Sequence, residues 1–156
     1  MKVKLIVVGK TDEAYLNEGI GKYVDRLKHY IDFEIITIPD VKLGKKKNAV
    51  LQKEKEGELI LSKINKSDFL ILLDENGKEY SSIGFSELIQ KRMNASTNFS
   101  FVVGGPFGFS KNVYSRANTK LSLSQMTLSH QMIRLFFVEQ LYRACSILKG
   151  EKYHHE

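Results

Sequence analysis

Four apolar runs, at residues 3–8, 33–38, 68–73 and 99–103, are separated by longer segments in which apolar residues recur at helical spacing. That alternation constrains the chain more than any single motif. Strand, crossover helix and next strand build a parallel sheet with helices on its faces. The first, third and fourth runs are nearly continuous in Val, Ile, Leu and Phe, as strands buried on both faces must be. Residues 33–38 alternate more and stop at Pro39, which places that strand nearer a sheet edge. The expected class is α/β, a mostly parallel sheet with flanking helices.

The connecting segments fit this frame. Tyr15, Ile20, Tyr23, Val24 and Leu27 share a helical stripe over about 13–29, and residues 49–64 read as a surface helix whose acidic and basic side chains serve only solubility. Asp74 to Lys78 reads as a turn, and a helix through Phe85, Leu88, Ile89 and Met93 follows with Ser82 or Ser86 as cap. A short helix capped by Ser110, a short strand at 121–123 and a long helix from Ser129 to about Lys149 complete the chain. On that last helix Gln131, Glu139, Arg143, Ser146 and Lys149 form a polar stripe, and apolar residues cover more than half the circumference. Such surplus predicts a second copy of the chain against it, a homodimer.

At 156 residues, with 42% hydrophobic and 27% charged, the chain is read as one domain spanning 1–156. A single cysteine, Cys145, excludes a disulfide framework and points to a reducing, cytoplasmic location. No apolar stretch approaches the ~20 residues of a membrane helix. A net charge of +6 and a pI near 9.3 favour a polyanionic partner. Lys42, Lys45, Lys46 and Lys47 around Gly44 read as a mobile basic loop, either a solvated connector or a phosphate contact.

The chemistry is concentrated after the fourth run, in Gly104-Gly105-Pro106-Phe107-Gly108 and Leu121-Ser122-Leu123-Ser124. Glycines at a strand end let backbone N–H groups approach a ligand closely. The turn lacks a Gly-Lys-Ser/Thr and so is no P-loop, and a tight turn needing positive φ is the structural alternative. No serine sits in a nucleophile elbow. His29, His130, His154 and His155 lack partners at ligand spacing, so no metal is expected.

Taken together, Leu73-Asp74-x-x-Gly77-Lys78 with Ser81-Ser82, Phe101-Val102-Val103-Gly104-Gly105-x-x-Gly108, Leu121-Ser122-Leu123-Ser124-x-Met126-Thr127-x-x-His130, Glu139-Gln140-Leu141-Tyr142-Arg143-Ala144 and Gly150-x-x-Tyr153-His154 resemble the RlmH family of the SPOUT superfamily. The resemblance spans the full length. It implies a C-terminal deep trefoil knot, a homodimer, and S-adenosylmethionine (SAM)-dependent methylation of N3 of a pseudouridine in the helix-69 loop of 23S ribosomal RNA within the 70S ribosome. By the family pattern, the cofactor site falls on Leu73, Gly104, Leu123, Ser124, Gln125, Met126, Thr127 and Leu128. The residues expected to act on the RNA are Arg143, Tyr153 and His154: His154 as base or to orient the uracil edge, Tyr153 to stack or hydrogen-bond, Arg143 to hold a phosphate or steady the developing anion. Many relatives end Tyr-His-Arg where this chain has His155, so Lys152 or the 42–47 segment is expected to supply the missing charge. A non-catalytic ribosome-binding factor of the same fold, and a nucleotide-dependent hydrolase using the glycine turn, are the competing readings.

Overall fold

A computed structural model describes residues 1–43 and 48–155. Gly44 and Lys45 to Lys47, most of the expected basic loop, lie outside the described residues, and Lys42 is exposed. The chain order is β1 (Lys2–Val8), α1 (Ala14–Leu27), β2 (Asp32–Ile38), α2 (Ala49–Leu61), β3 (Phe69–Glu79), α3 (Ser82–Asn94), β4 (Phe99–Val103), α4 (Lys111–Arg116), β5 (Thr119–Ser122) and α5 (Met132–Leu148). The five strands form one parallel sheet in the order β2-β1-β4-β3-β5. The α/β expectation holds, and β2 sits at an edge.

The strands' composition explains their places. All five residues of β4 are buried, Ser100 among them, because neighbours flank it on both sides and helices cover both faces. Helices α1 and α3 pack on α5 over one face, where Phe101 and Phe137 meet at 4.7 Å between ring centroids. Helices α2 and α4 pack together over the other face, on Ile6, Leu70, Leu72 and Val102.

Several local expectations change. Tyr15 is 60% exposed, and Leu16 takes the buried position with Ile20 and Leu27, because the helix faces its core one residue later than the tyrosine suggests. Residues 74–78 are not a plain turn: β3 runs to Glu79 and pairs again with Leu121 and Ser122 after a register shift between Leu73 and Lys78. Gly77 permits this, since a Cβ there would lie 2.6 Å from the Leu121 nitrogen. Ser81, not Ser82 or Ser86, caps α3, its Oγ accepting from the Gly84 N–H at 3.0 Å. Ser110 caps α4 as expected.

Candidate functional site

The carboxyl ends of β4 and β5 and the register shift in the middle of β3, at residues 73–76, open into a cleft of about 520 Å³. In open parallel sheets this edge is where ligands collect, because successive loops leave it in divergent directions. One wall is Leu73 with Asp74 to Asn76, a second is Val103, Gly104, Gly105 and Pro106, and a third runs from Ser122 through Ser124 and from Met126 to His130. Ile133, on the first turn of α5, closes one side, and Phe109 and Tyr114 close another.

Hydrogen bonds shape these walls. The Ser122 hydroxyl donates to the Ser124 carbonyl at 3.0 Å, and the Ser124 Oγ accepts from the Met126 N–H at 2.9 Å, bending the segment over the sheet edge. Asp74 accepts from the Tyr114 hydroxyl at 2.8 Å and from the Asn76 N–H at 2.9 Å, which ties β3 to α4. Burial and that bond to Asp74 push the Tyr114 hydroxyl up to about 12, so it remains a donor. Met126 overhangs the cleft, 80% exposed. Of the eight residues expected to hold a cofactor, Leu73, Gly104, Leu123, Ser124, Met126, Thr127 and Leu128 line this cleft. Gln125 does not line it and donates to Glu79 at 3.4 Å.

Arg143, Tyr153 and His154 come together elsewhere. Arg143 bonds Glu139 at 2.6 Å and reaches His154 Nδ1 at 3.1 Å, and the Tyr153 hydroxyl donates to Glu139 at 2.9 Å. The guanidinium lies 4.8 Å from the Tyr153 ring centroid. Burial, then the bonds to Tyr23 and Glu139, hold the Tyr153 hydroxyl well above its ordinary range, so it stays protonated. An arginine has no acceptor, so Arg143 donates and Nδ1 accepts, which leaves the proton of a neutral His154 ring on Nε2.

Two buried charged residues were not legible as site residues. Arg134, 2% exposed, donates to the carbonyls of Val8 and Gly9 at 2.8 Å each, to that of His130 at 2.9 Å and to the Thr11 hydroxyl at 3.0 Å. It joins the end of β1 to the segment entering α5, where His130 and Ile133 line the cleft. The available signal was its register with Phe137, Val138 and Leu141 on the buried face. Ser146, expected on the polar stripe, is also fully buried and donates to the Arg143 carbonyl.

Glu56 corrects the reading of α2 as a helix with purely solubilising charges. It is 2% exposed, accepts from Gln52 at 3.1 Å, and its Oε2 has no hydrogen-bond partner among the described residues. A Cβ on Gly105 would fall 2.7 Å from that oxygen, so a larger residue in this part of the cleft wall would have to displace the Glu56 carboxylate. Burial raises the Glu56 pKa, the Gln52 bond lowers it, and nearby Asp40 raises it; the net direction is up. The folded state therefore keeps this proton to higher pH than the unfolded chain, and stability falls as pH rises above the ordinary value of 4.5. Glu56→Gln is expected to raise the thermal midpoint at pH 8, with the gain disappearing below pH 4.5. A variant less stable than wild type at pH 8 would show that the ionised carboxylate is favourable there.

A family model described as "Predicted SPOUT methyltransferase" matches residues 1–154. The chain belongs to the SPOUT methyltransferase family. Curated relatives cover essentially the whole chain: a protein of Christiangramia forsetii is 60% identical over 99% of both chains, one of Flavobacterium johnsoniae 56% over 100% of both, and one of Porphyromonas gingivalis 52% over 100% of both. All three carry the name ribosomal RNA large subunit methyltransferase H. Membership in the SPOUT family implies methyl transfer with SAM as donor and a knotted C-terminal half. No group of three or more His, Cys, Asp or Glu among the described residues is placed to hold a metal ion, and no described helix is long and apolar enough to cross a membrane.

Proposed function

We propose that the protein transfers a methyl group from SAM to N3 of a pseudouridine in the helix-69 loop of 23S ribosomal RNA, acting on the 70S ribosome in the cytoplasm as a homodimer. The observation that carries this reading is the cleft at the ends of β4 and β5 and the register shift of β3, built from the segments that resemble the family's cofactor loops. Its volume lies within the ~300–1,000 Å³ range of small-molecule sites. Leu73, Val103, Leu123, Leu128 and Ile133 offer apolar faces for an adenine ring, the Gly104-Gly105 backbone offers edge hydrogen bonds, and Asp74 and Glu75 place negative charge beside a cationic ligand. The substrate class is supported by the names of the full-length relatives and by the net charge of +6.

When bound, SAM supplies an electrophilic methyl carbon on a sulfonium. The chain's residues position the other reactant. Forming the N3–methyl bond breaks N3–H, whose proton passes to solvent; Arg143 steadies the negative charge that develops on the uracil ring, and Tyr153 flanks the base. His154, held by Arg143 at Nδ1, belongs to the same group and orients the base edge. Positioning of this kind is a large part of the rate of an in-line displacement.

Ile133 lines the cleft, yet Arg143 lies ten positions further along α5, about 15 Å away at 1.5 Å per residue. This separation supports the dimer: a second chain set against the exposed Met132 and Phe136 of α5 can bring its own Arg143–Tyr153–His154 group to the cleft. The reading is tested by incubating 70S ribosomes lacking the modification with the protein and methyl-labelled SAM. Label in the large-subunit RNA is expected. A protein that binds ribosomes but neither binds SAM saturably nor transfers label is a ribosome-binding factor instead.

A further inference from the structure

Resting on the RNA reading above, we propose that the pocket between the C-terminal half of α1 and the C-terminal end of α5 is a second RNA-contact site, taking the nucleotide next to the target. In it Arg26 receives the phosphate and Tyr30 and Tyr142 flank the base. The pocket, of about 480 Å³, is lined by Arg26, His29, Tyr30, Tyr142 and Tyr153.

Arg26 is the central observation. Its guanidinium lies 5.5 Å from the Tyr23 ring centroid and 5.3 Å from that of Tyr142, so two aromatic rings hold the side chain in place. Arg116, Arg134 and Arg143 direct their donors to carbonyls and carboxylates within the protein. The Arg26 guanidinium makes no hydrogen bond or ion pair to a described residue. An arginine oriented by stacking, with its N–H fork uncommitted, is a preorganised phosphate donor.

The aromatic walls suit RNA. Tyr142 meets Tyr30 edge-on at 5.9 Å and Tyr153 at 4.7 Å, so the rings form a corner rather than a closed stack. Unstacked bases of RNA loops are held in this way against tyrosine and arginine planes. Tyr153 belongs to this pocket and to the Arg143–His154 group, so a nucleotide here adjoins whatever Arg143 and His154 hold. One group opposes the phosphate: Glu151, exposed, accepts from the Tyr30 hydroxyl at 2.6 Å and sets a carboxylate at the rim. Its charge makes the proposal testable in both directions.

The test is fluorescence anisotropy of a labelled helix-69 stem-loop titrated with the protein over a range of salt, alongside methylation kinetics on 70S ribosomes. Arg26→Ala is expected to weaken RNA binding about tenfold and to reduce the salt slope by about one, raising KM with kcat and SAM affinity unchanged. Arg26→Lys is expected to keep the slope and recover only part of the affinity, because a lysine is a point charge without the planar fork. Glu151→Gln, which leaves Arg26 in place, is expected to bind RNA about two- to threefold more tightly. Arg26→Ala with unchanged RNA affinity and salt slope, or Glu151→Gln with no gain, overturns the proposal, as does a loss of dimer mass or thermal midpoint that accounts for the whole change. If wild type methylates ribosomes and the Arg26 variants match it, this pocket falls and the methylation reading stands. If wild type binds the stem-loop through Arg26 without methylating, the reverse holds, and if it binds no RNA both fall.

Discussion

Replacing Arg134 with methionine is expected to lower the thermal midpoint by about 10 °C, the largest loss of stability of any single substitution considered. The side chain is among the largest fully enclosed ones, and it satisfies the Val8, Gly9 and His130 carbonyls together with the Thr11 hydroxyl. Burial pulls the guanidinium pKa down, and nearby Asp12 and Asp40 oppose this; it remains charged, so its bonds to the carbonyls are charge-assisted. Methionine fills most of the volume but leaves the Val8 and Gly9 carbonyls buried without donors. At roughly 1–3 kcal/mol for each orphaned group, the cost is about 3–5 kcal/mol, and a chain of this size loses about 2–4 °C per kcal/mol. Cofactor affinity is expected to fall as well, since His130 and Ile133 line the cleft beside the lost anchor. Arg134→Lys is expected to recover only part of the midpoint, one ammonium being unable to span all four acceptors. Calorimetric melting within 2 °C of wild type for the methionine variant would show that these carbonyls find other partners.

Truncation before Tyr153 is expected to reduce methyl transfer at least about a hundredfold while leaving SAM affinity unchanged. The two measurements separate because the cleft is built from residues 73 to 133, whereas Tyr153 and His154 engage Arg143 and Glu139 far along α5. Tyr153→Phe isolates the hydroxyl, which donates to Glu139. It keeps the ring beneath the Arg143 guanidinium and is expected to be milder than the truncation. Wild-type turnover by the truncated protein would remove the tail from the reaction.

The elements that follow local pattern were the legible ones. Apolar runs gave the strands, helical spacing gave α1, α3 and α5, and Ser110 announced its cap. The cleft was legible in outline, because Leu73 closes the apolar run of its strand, Gly104 follows the end of another, and the Leu-Ser-Leu-Ser segment carries the end of a third. What was missed depends on contacts distant in sequence. The extension of β3 past Asp74 requires β5, and Gly77 looks like a turn glycine until Leu121 is placed against it. Glu56 is buried only because its helix passes beneath Gly105, and nothing within α2 marks it. Arg134 broke the apolar pattern of α5, but the carbonyls that justify it lie about 125 residues earlier. Tyr15 and Leu16 differ by one helical step of ~100°, which the stripe could not resolve.

The most direct measurement is mass spectrometry of helix-69 fragments from modification-deficient 70S ribosomes incubated with the protein and methyl-labelled SAM. A single labelled methyl group on N3 of pseudouridine is the expected result. Absence of label there, or label on another nucleotide, would contradict the proposed activity.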